Sequence, residues 1–297
     1  EHLLMRYAGH SETPLLHYLA AARAAQKQDA AERRDNYLRL AHETTDGADI
    51  AVGVVQAELQ LESDQKEQAL ATLQHLREMS PKHPYVLQQL QKLYSEMNEW
   101  QGVHDVLPDL KKRHVLPSSD VKSLSTDATV GQLESAIARR DWNRVGELWQ
   151  EAPTKIRHSE AMLHAYTSAL IQQDRGKEAG PLIEAYMNNE WSDRLAYQYG
   201  LIKLDNLKGQ IERAERWEKK HPNNPWLLLT LGRLMKANNQ AEKAESILRE
   251  SLAHGERGET YQALAEVLEM TLGNEAGVVE AYQKGLALML SQGDASI

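Results

Sequence analysis

The chain has 297 residues, 41% hydrophobic and 26% charged, with a formal net charge of −9 and no cysteine. That apolar content suffices for a substantial core, and the lack of cysteine excludes disulfides, thiolate nucleophiles and Cys-ligated zinc or iron–sulfur clusters. The acidic balance argues against a nucleic-acid partner, because phosphate affinity comes from clustered Lys and Arg.

Near the start, Leu16, Leu19, Ala20, Tyr37 and Leu40 fall at helical spacings and form a faint first helix pair. Farther on, Ala69, Leu73 and Leu76 are followed by Pro81. A step of ~34 residues carries this trio onto Val103, Leu107 and Leu110, with Val115 beyond, and ~34 residues is the tetratricopeptide (TPR) period. Steps of four and three place small and large residues on one helix face, where the small one admits a neighbouring helix and the large one fills the groove beside it.

Residues 118–129, reading SSDVKSLSTDAT, are rich in hydroxyl side chains and lack a clear apolar stripe, so a loop or capping region is expected there. The repeat resumes faintly with Leu163, Tyr166, Leu170, Ala179, Ile183 and Tyr186. A second clear run starts at Gln210, Ala214 and Trp217, continues at Ala244, Leu248 and Ser251, and reaches Val278, Tyr282 and Gly285. In the best copy Leu228, Leu231 and Met235 share a face, Gly232 allows close approach of the return helix, and Asn238 to Gln240 make the turn. The tail, residues 291–297, is expected to fray.

The expected fold is therefore all-α, a TPR-like α-solenoid of about eight antiparallel helix pairs forming a superhelix. Residues 1–117 form an N-terminal array of about three pairs and residues 130–297 a C-terminal array of about five, with 118–129 as linker. One continuous superhelix with a long turn at 118–129 is the alternative.

No motif suggests catalysis. The stretch Gly273–Gly277 lacks the Lys and Ser/Thr of a phosphate-binding loop, and no nucleophile elbow appears. None of the 12 histidines forms a pair four residues apart, so no metal site is expected. No cofactor is expected either, although axial ligation by a single His or Tyr would leave no signature and haem contact stays open. No apolar run approaches the ~20 residues that span a bilayer, and no signal peptide is visible.

In such arrays the concave surface is lined by the first helix of each pair. Residues one or five positions beyond the packed leucine are rotated ~100–140° from it, which nominates Gln88, Lys92, His164, Ser168, Tyr199, Arg233 and Glu266 as partner-binding residues. Tyr197 continues the packed register of Leu231, so Tyr199 is expected to face outward. Trp100, Trp142, Trp217 and Trp226 read as packing residues. The mixed charges do not match the Lys/Asn/Arg arrangement with which some TPR families clamp a C-terminal carboxylate.

Three stretches resemble the C-terminal domain of bacterial HemY proteins: HYLAAARAAQKQDAAERRDNYLRLA (17–41), DVLPDLKKRHVLP (105–117) and HPNNPWLLLTLGRLMKANNQAEKAESILRESL (221–252). The resemblance implies an inner-membrane protein associated with late protohaem biosynthesis, with a pair of membrane helices ahead of a TPR domain that faces the cytoplasm. It carries no catalytic residues. It implies a non-catalytic scaffold for protein partners such as haem-pathway enzymes, with a direct haem or porphyrin carrier as the alternative.

Overall fold

The computed structural model describes residues 13–44, 47–271 and 275–294. Residues 272–274 and 295–297, on which part of the glycine-rich stretch and of the tail fall, lie outside them. The chain divides into two compact units, Glu1–Gln132 and Leu133–Ile297.

In the first unit, helices α1 (Pro14–Gln26) and α2 (Ala31–Glu43), α3 (Asp49–Glu62) and α4 (Lys66–Met79), and α5 (Pro84–Glu96) and α6 (Trp100–Lys112) pack as successive pairs. The boundary between the units falls within α7 (Ser118–Ala138). The second unit adds α8 (Trp142–Glu151) and a single turn, α9 (Thr154–Arg157). Beyond these come α10 (Glu160–Gln172) with α11 (Gly176–Met187), then α12 (Asp193–Tyr199) and α13 (Leu207–Glu218). Two tight pairs follow, α14 (Pro225–Ala237) with α15 (Ala241–His254), and α16 (Gly258–Leu268) with α17 (Glu275–Asp294). All described elements are helical, which agrees with the expected TPR-like solenoid class.

One turn recurs between the two helices of a pair. Asp29, Asp64, Asn98, Arg140, Asp174 and Asn239 all have positive φ. At each, the following residue's N–H donates back five positions, as in Gln65 to Gln60 at 2.8 Å and Gln240 to Met235 at 3.0 Å. This is the Schellman closure of a helix end, and Asp and Asn tolerate its left-handed residue better than other non-glycine side chains. The repeat is thus written in its turns as well as in its packed faces.

The packed faces follow the expected register in the clear copies. Ala69, Leu73, Leu76, Val103, Leu107, Leu110, Ala244, Leu248 and Ser251 are all buried. A Cβ on Gly232 would lie 2.5 Å from Leu248 Cγ, so glycine is what lets α14 and α15 approach.

Three expectations differ from the structure. Residues 118–129 are helical rather than a loop. Val121, Leu124 and Ala128 turn inward, while Thr126 and Thr129 hydroxyls donate to the carbonyls of Lys122 and Ser125 and so spend their hydrogen bonds inside the helix. Among the described side chains of α17 the buried residues are Ala281 and Gly285, whereas Tyr282 is 39% exposed. A Cβ on Gly285 would lie 3.1 Å from the Gly258 carbonyl oxygen, and this close approach of α16 and α17 fixes the contact face. The third difference concerns Tyr199, which belongs to the site.

Candidate functional site

The first helices of the second unit, α10, α12, α14 and α16, pack successively on one another. Buried polar groups tie them together. Gln198 donates its amide to the His164 carbonyl oxygen at 3.0 Å and to Ser168 Oγ at 2.7 Å, and accepts from Thr167 Oγ1 at 2.6 Å. Thr230 donates to the Ala196 carbonyl at 2.6 Å, and Lys236 pairs with Glu266 at 2.6 Å. These bonds are made between helices, so they fix the spacing of the face that the helices present.

On that face His164, Ser168, Arg233 and Glu266 are all half-buried, and the structure brings them onto one stack of helices. Burial, with the Arg194 charge beside it, holds the His164 imidazole below its ordinary range. For Glu266, burial works to raise the pKa, but the hydrogen bond and charge of Lys236 outweigh it and keep the carboxyl below the usual carboxylate range.

Tyr199 is not on this face. It is 0% exposed, its hydroxyl donates to Glu184 Oε1 at 2.7 Å, and its ring lies edge-on to Trp217 with centroids 4.8 Å apart. The face is served instead by Tyr197, which is half-buried. Tyr199, the last residue of the 7-residue α12, is held inward by its contacts with Glu184 and Trp217. The carbonyls freed by this early stop are capped from α13. Gln210, 1% exposed, donates to the Tyr199 and Ile202 carbonyl oxygens at 2.9 and 3.1 Å.

Tyr197 joins a ladder of rings and cations. The Arg233 guanidinium sits 4.7 Å from the Tyr197 ring centroid, Tyr197 meets Trp226 edge-on at 5.5 Å, and Arg257 lies 4.4 Å from the Trp226 centroid. Such cation–π contacts fix long cationic side chains that would otherwise roam. Trp226 is thus half-exposed in a ladder and Trp217 is a packing residue, 4% exposed. Sequence reasoning passed over Tyr197, Gln198, Lys236 and Arg257; the spacing of three between Arg233 and Lys236 could have paired those two.

Two clefts open in the second unit, one of them beside Arg233 of the ladder. One, of about 780 Å³, is bordered by the loop after α12, by Arg233, Leu234 and Lys236 of α14, and by Gln262, Glu266 and Met270. The other, of about 560 Å³, is lined by Trp149, Arg157, His158, Leu163, Leu182 and Tyr186 among others. Trp149 stacks flat on Tyr166 beside it, with centroids 4.0 Å apart.

In the first unit the equivalent face carries a polar chain. Glu58 on α3 accepts from Arg23 on α1 and from the Tyr85 hydroxyl on α5, both at 2.5 Å. Gln88, half-buried, and Lys92, exposed, lie three and seven positions beyond Tyr85 and so share its side of α5. Among the described residues no group of three or more His, Cys, Asp or Glu is arranged to hold a metal ion. No described helix is long and apolar enough to cross a membrane.

No family model matches the chain. The sequence is similar to Protein HemY of Escherichia coli K12, 27% identical over 270 residues that cover 91% of this chain and 68% of that protein. Protein HemY of Shigella flexneri matches to the same extent. The resemblance carried by the three stretches therefore extends over nearly the whole chain as homology to HemY proteins. Among solved structures, a tetratricopeptide repeat protein from Parabacteroides merdae is 10% identical over 92% of this chain and 98% of its own, with a TM-score of 0.34. The APC/C Cut9–Hcn1 complex gives 14% identity over 94% of this chain and 54% of its own, with a TM-score of 0.44. Yeast Tom70 gives 11% over 92% and 63%, with a TM-score of 0.41.

Proposed function

We propose that this chain is a non-catalytic scaffold that binds a protein partner along the first-helix face of its second unit. The observation that carries the reading is the ladder Arg233–Tyr197–Trp226–Arg257, flanked by His164, Ser168 and Glu266. Arginine and aromatic side chains dominate the energetics of protein interfaces because they bring large contact area with few freely rotating bonds. Here they are also held in place before any partner arrives, which lowers the ordering cost of association.

The likeness to HemY supports taking the partner from the enzymes of late haem biosynthesis. It also supports a tether to the bacterial inner membrane, with the array on the cytoplasmic side. Gln88 and Lys92 offer a second, more polar face on the first unit.

Affinity capture with the full-length protein from gently solubilised bacterial membranes tests this reading. The wild type is expected to retain a haem-pathway enzyme, and a Trp226→Ala, Arg233→Ala variant to lose most of it. Retention of no such enzyme by the wild type, or equal retention by both, would overturn the proposal.

A further inference from the structure

The cleft beside Arg233 has a chemical character that the rest of the face lacks. Its walls are apolar: Leu201 and Met270 stand at its rim, 42% and 45% exposed, and Leu204 and Leu234 line it deeper. The same cleft is lined by Lys203, Arg233 and Lys236 and by one carboxylate, that of Glu266. Three cations against one carboxylate make this cleft locally positive in a chain whose formal net charge is −9. Arg233 is held over the Tyr197 ring, so its charge is fixed at the edge of the cleft. A guanidinium positioned in advance binds a carboxylate through charge-assisted hydrogen bonds with less side-chain ordering to offset.

We propose that this cleft receives an extended segment of the partner in which an acidic side chain lies between apolar ones. Its carboxylate is taken by Arg233 and Lys236, and its apolar neighbours cover Leu201 and Met270. The carboxylate is assigned to a side chain because the apolar lining of Leu201, Leu204, Leu234 and Met270 gives its chain neighbours a surface to cover. Glu266 in the same wall favours a singly charged carboxylate over a phosphate, which would bring more negative charge against it. This inference rests on the scaffold reading and adds the chemistry that the scaffold selects.

The test uses the full-length protein in detergent and a fluorescent peptide of alternating leucine and glutamate with both ends blocked, read by anisotropy. Saturable binding is expected, with none for the matching leucine–glutamine peptide. Arg233→Gln should weaken it about tenfold or more, the loss of one charge-assisted bond. Lys203→Gln should weaken it less. Glu266→Gln should strengthen it, because that change removes the opposing charge and releases Lys236; a merely structural role for the pair would not do this. Lys219→Gln with Lys220→Gln, in a separate basic cleft beside Trp217, should leave it unchanged.

Equal binding of the glutamine peptide, equal loss in the Lys219 and Lys220 variant, or binding of phosphatidylglycerol vesicles in place of the peptide would overturn the inference. If Arg233→Gln disturbs the helical circular dichroism, Lys203→Gln and Glu266→Gln decide the matter. Partner capture that survives while the peptide fails to bind would remove this inference and leave the scaffold reading standing.

Discussion

Gln210 donates its side-chain amide to the backbone oxygen of Tyr199 at 2.9 Å, across the gap where a full-length first helix would have continued. The same amide reaches the Ile202 carbonyl at 3.1 Å, so one side chain replaces two of the hydrogen bonds that the missing helical turns would have made. The early end of α12 leaves these carbonyls to α13, which supplies the plug.

Replacing Gln210 with leucine keeps the volume but orphans both carbonyls. The expected cost is about 2 kcal/mol, the penalty of buried acceptors left without donors. Urea unfolding followed by tryptophan fluorescence measures it, since Trp217 lies in the same core. A change within experimental noise would mean that the carbonyls do not depend on Gln210.

Tyr199 and Tyr186 predict an alkaline limit to stability. Burial, then the bond to Glu184, raises the Tyr199 hydroxyl pKa. Burial, then the bond to Glu190, takes Tyr186 from 10.0 to about 12. The folded protein holds these protons more tightly than the unfolded chain does. Their contribution is therefore complete below the unfolded value of about 10 and is lost as pH rises through the folded values. Stability should fall between pH 10 and about 12. The Tyr199→Phe and Tyr186→Phe variants should show a shallower fall over that range than the wild type; an unchanged slope would contradict the assignment.

Gly232 makes a prediction of sign. In an exposed helix interior, glycine to alanine stabilises by about 1 kcal/mol. Here the new Cβ would lie 2.5 Å from Leu248 Cγ and Cδ2, and forcing extra volume into a packed contact costs about 1–3 kcal/mol. The clash should win, so Gly232→Ala should lower the thermal midpoint. The loss should shrink in a Leu248→Ala background, because the side chain that must move is gone. Stabilisation of the otherwise wild-type protein would show that α14 and α15 are not in close contact there.

The parts of this fold that were legible in advance are those in which each repeat behaves like its neighbours. Ala69, Leu73 and Leu76 predict Val103, Leu107 and Leu110 because both copies have a full first helix, a left-handed Asp64 or Asn98, and a full return helix. Extrapolation failed where a repeat makes contacts that its neighbours lack. Tyr199 is held inward by Glu184 and Trp217, and Gln210 caps the early end of α12, none of which a local pattern announces. Helix α7 was hidden for a different reason. Its Ser and Thr residues favour turns in isolation, and what makes the segment helical is burial of Val121 and Ala128 and the close approach of Gly131 to the Trp100 ring. Helix rotation alone decides which way His164, Ser168, Arg233 and Glu266 point, so their common placement on the stacked first helices could be read in advance. Lys236 and Arg257 owe their roles to partners on other helices and loops.

The most direct test of the scaffold reading is site-specific photocrosslinking in cells making the full-length protein. A photoreactive phenylalanine analogue would be placed at Ser168 and at Gln262 on the first-helix face, and at Glu212 and Ser246 on the second helices α13 and α15. A single haem-pathway enzyme should crosslink at both first-helix positions and at neither second-helix position. Adducts of equal yield from both sets, or none from the first-helix positions, would contradict the claim that this face binds the partner.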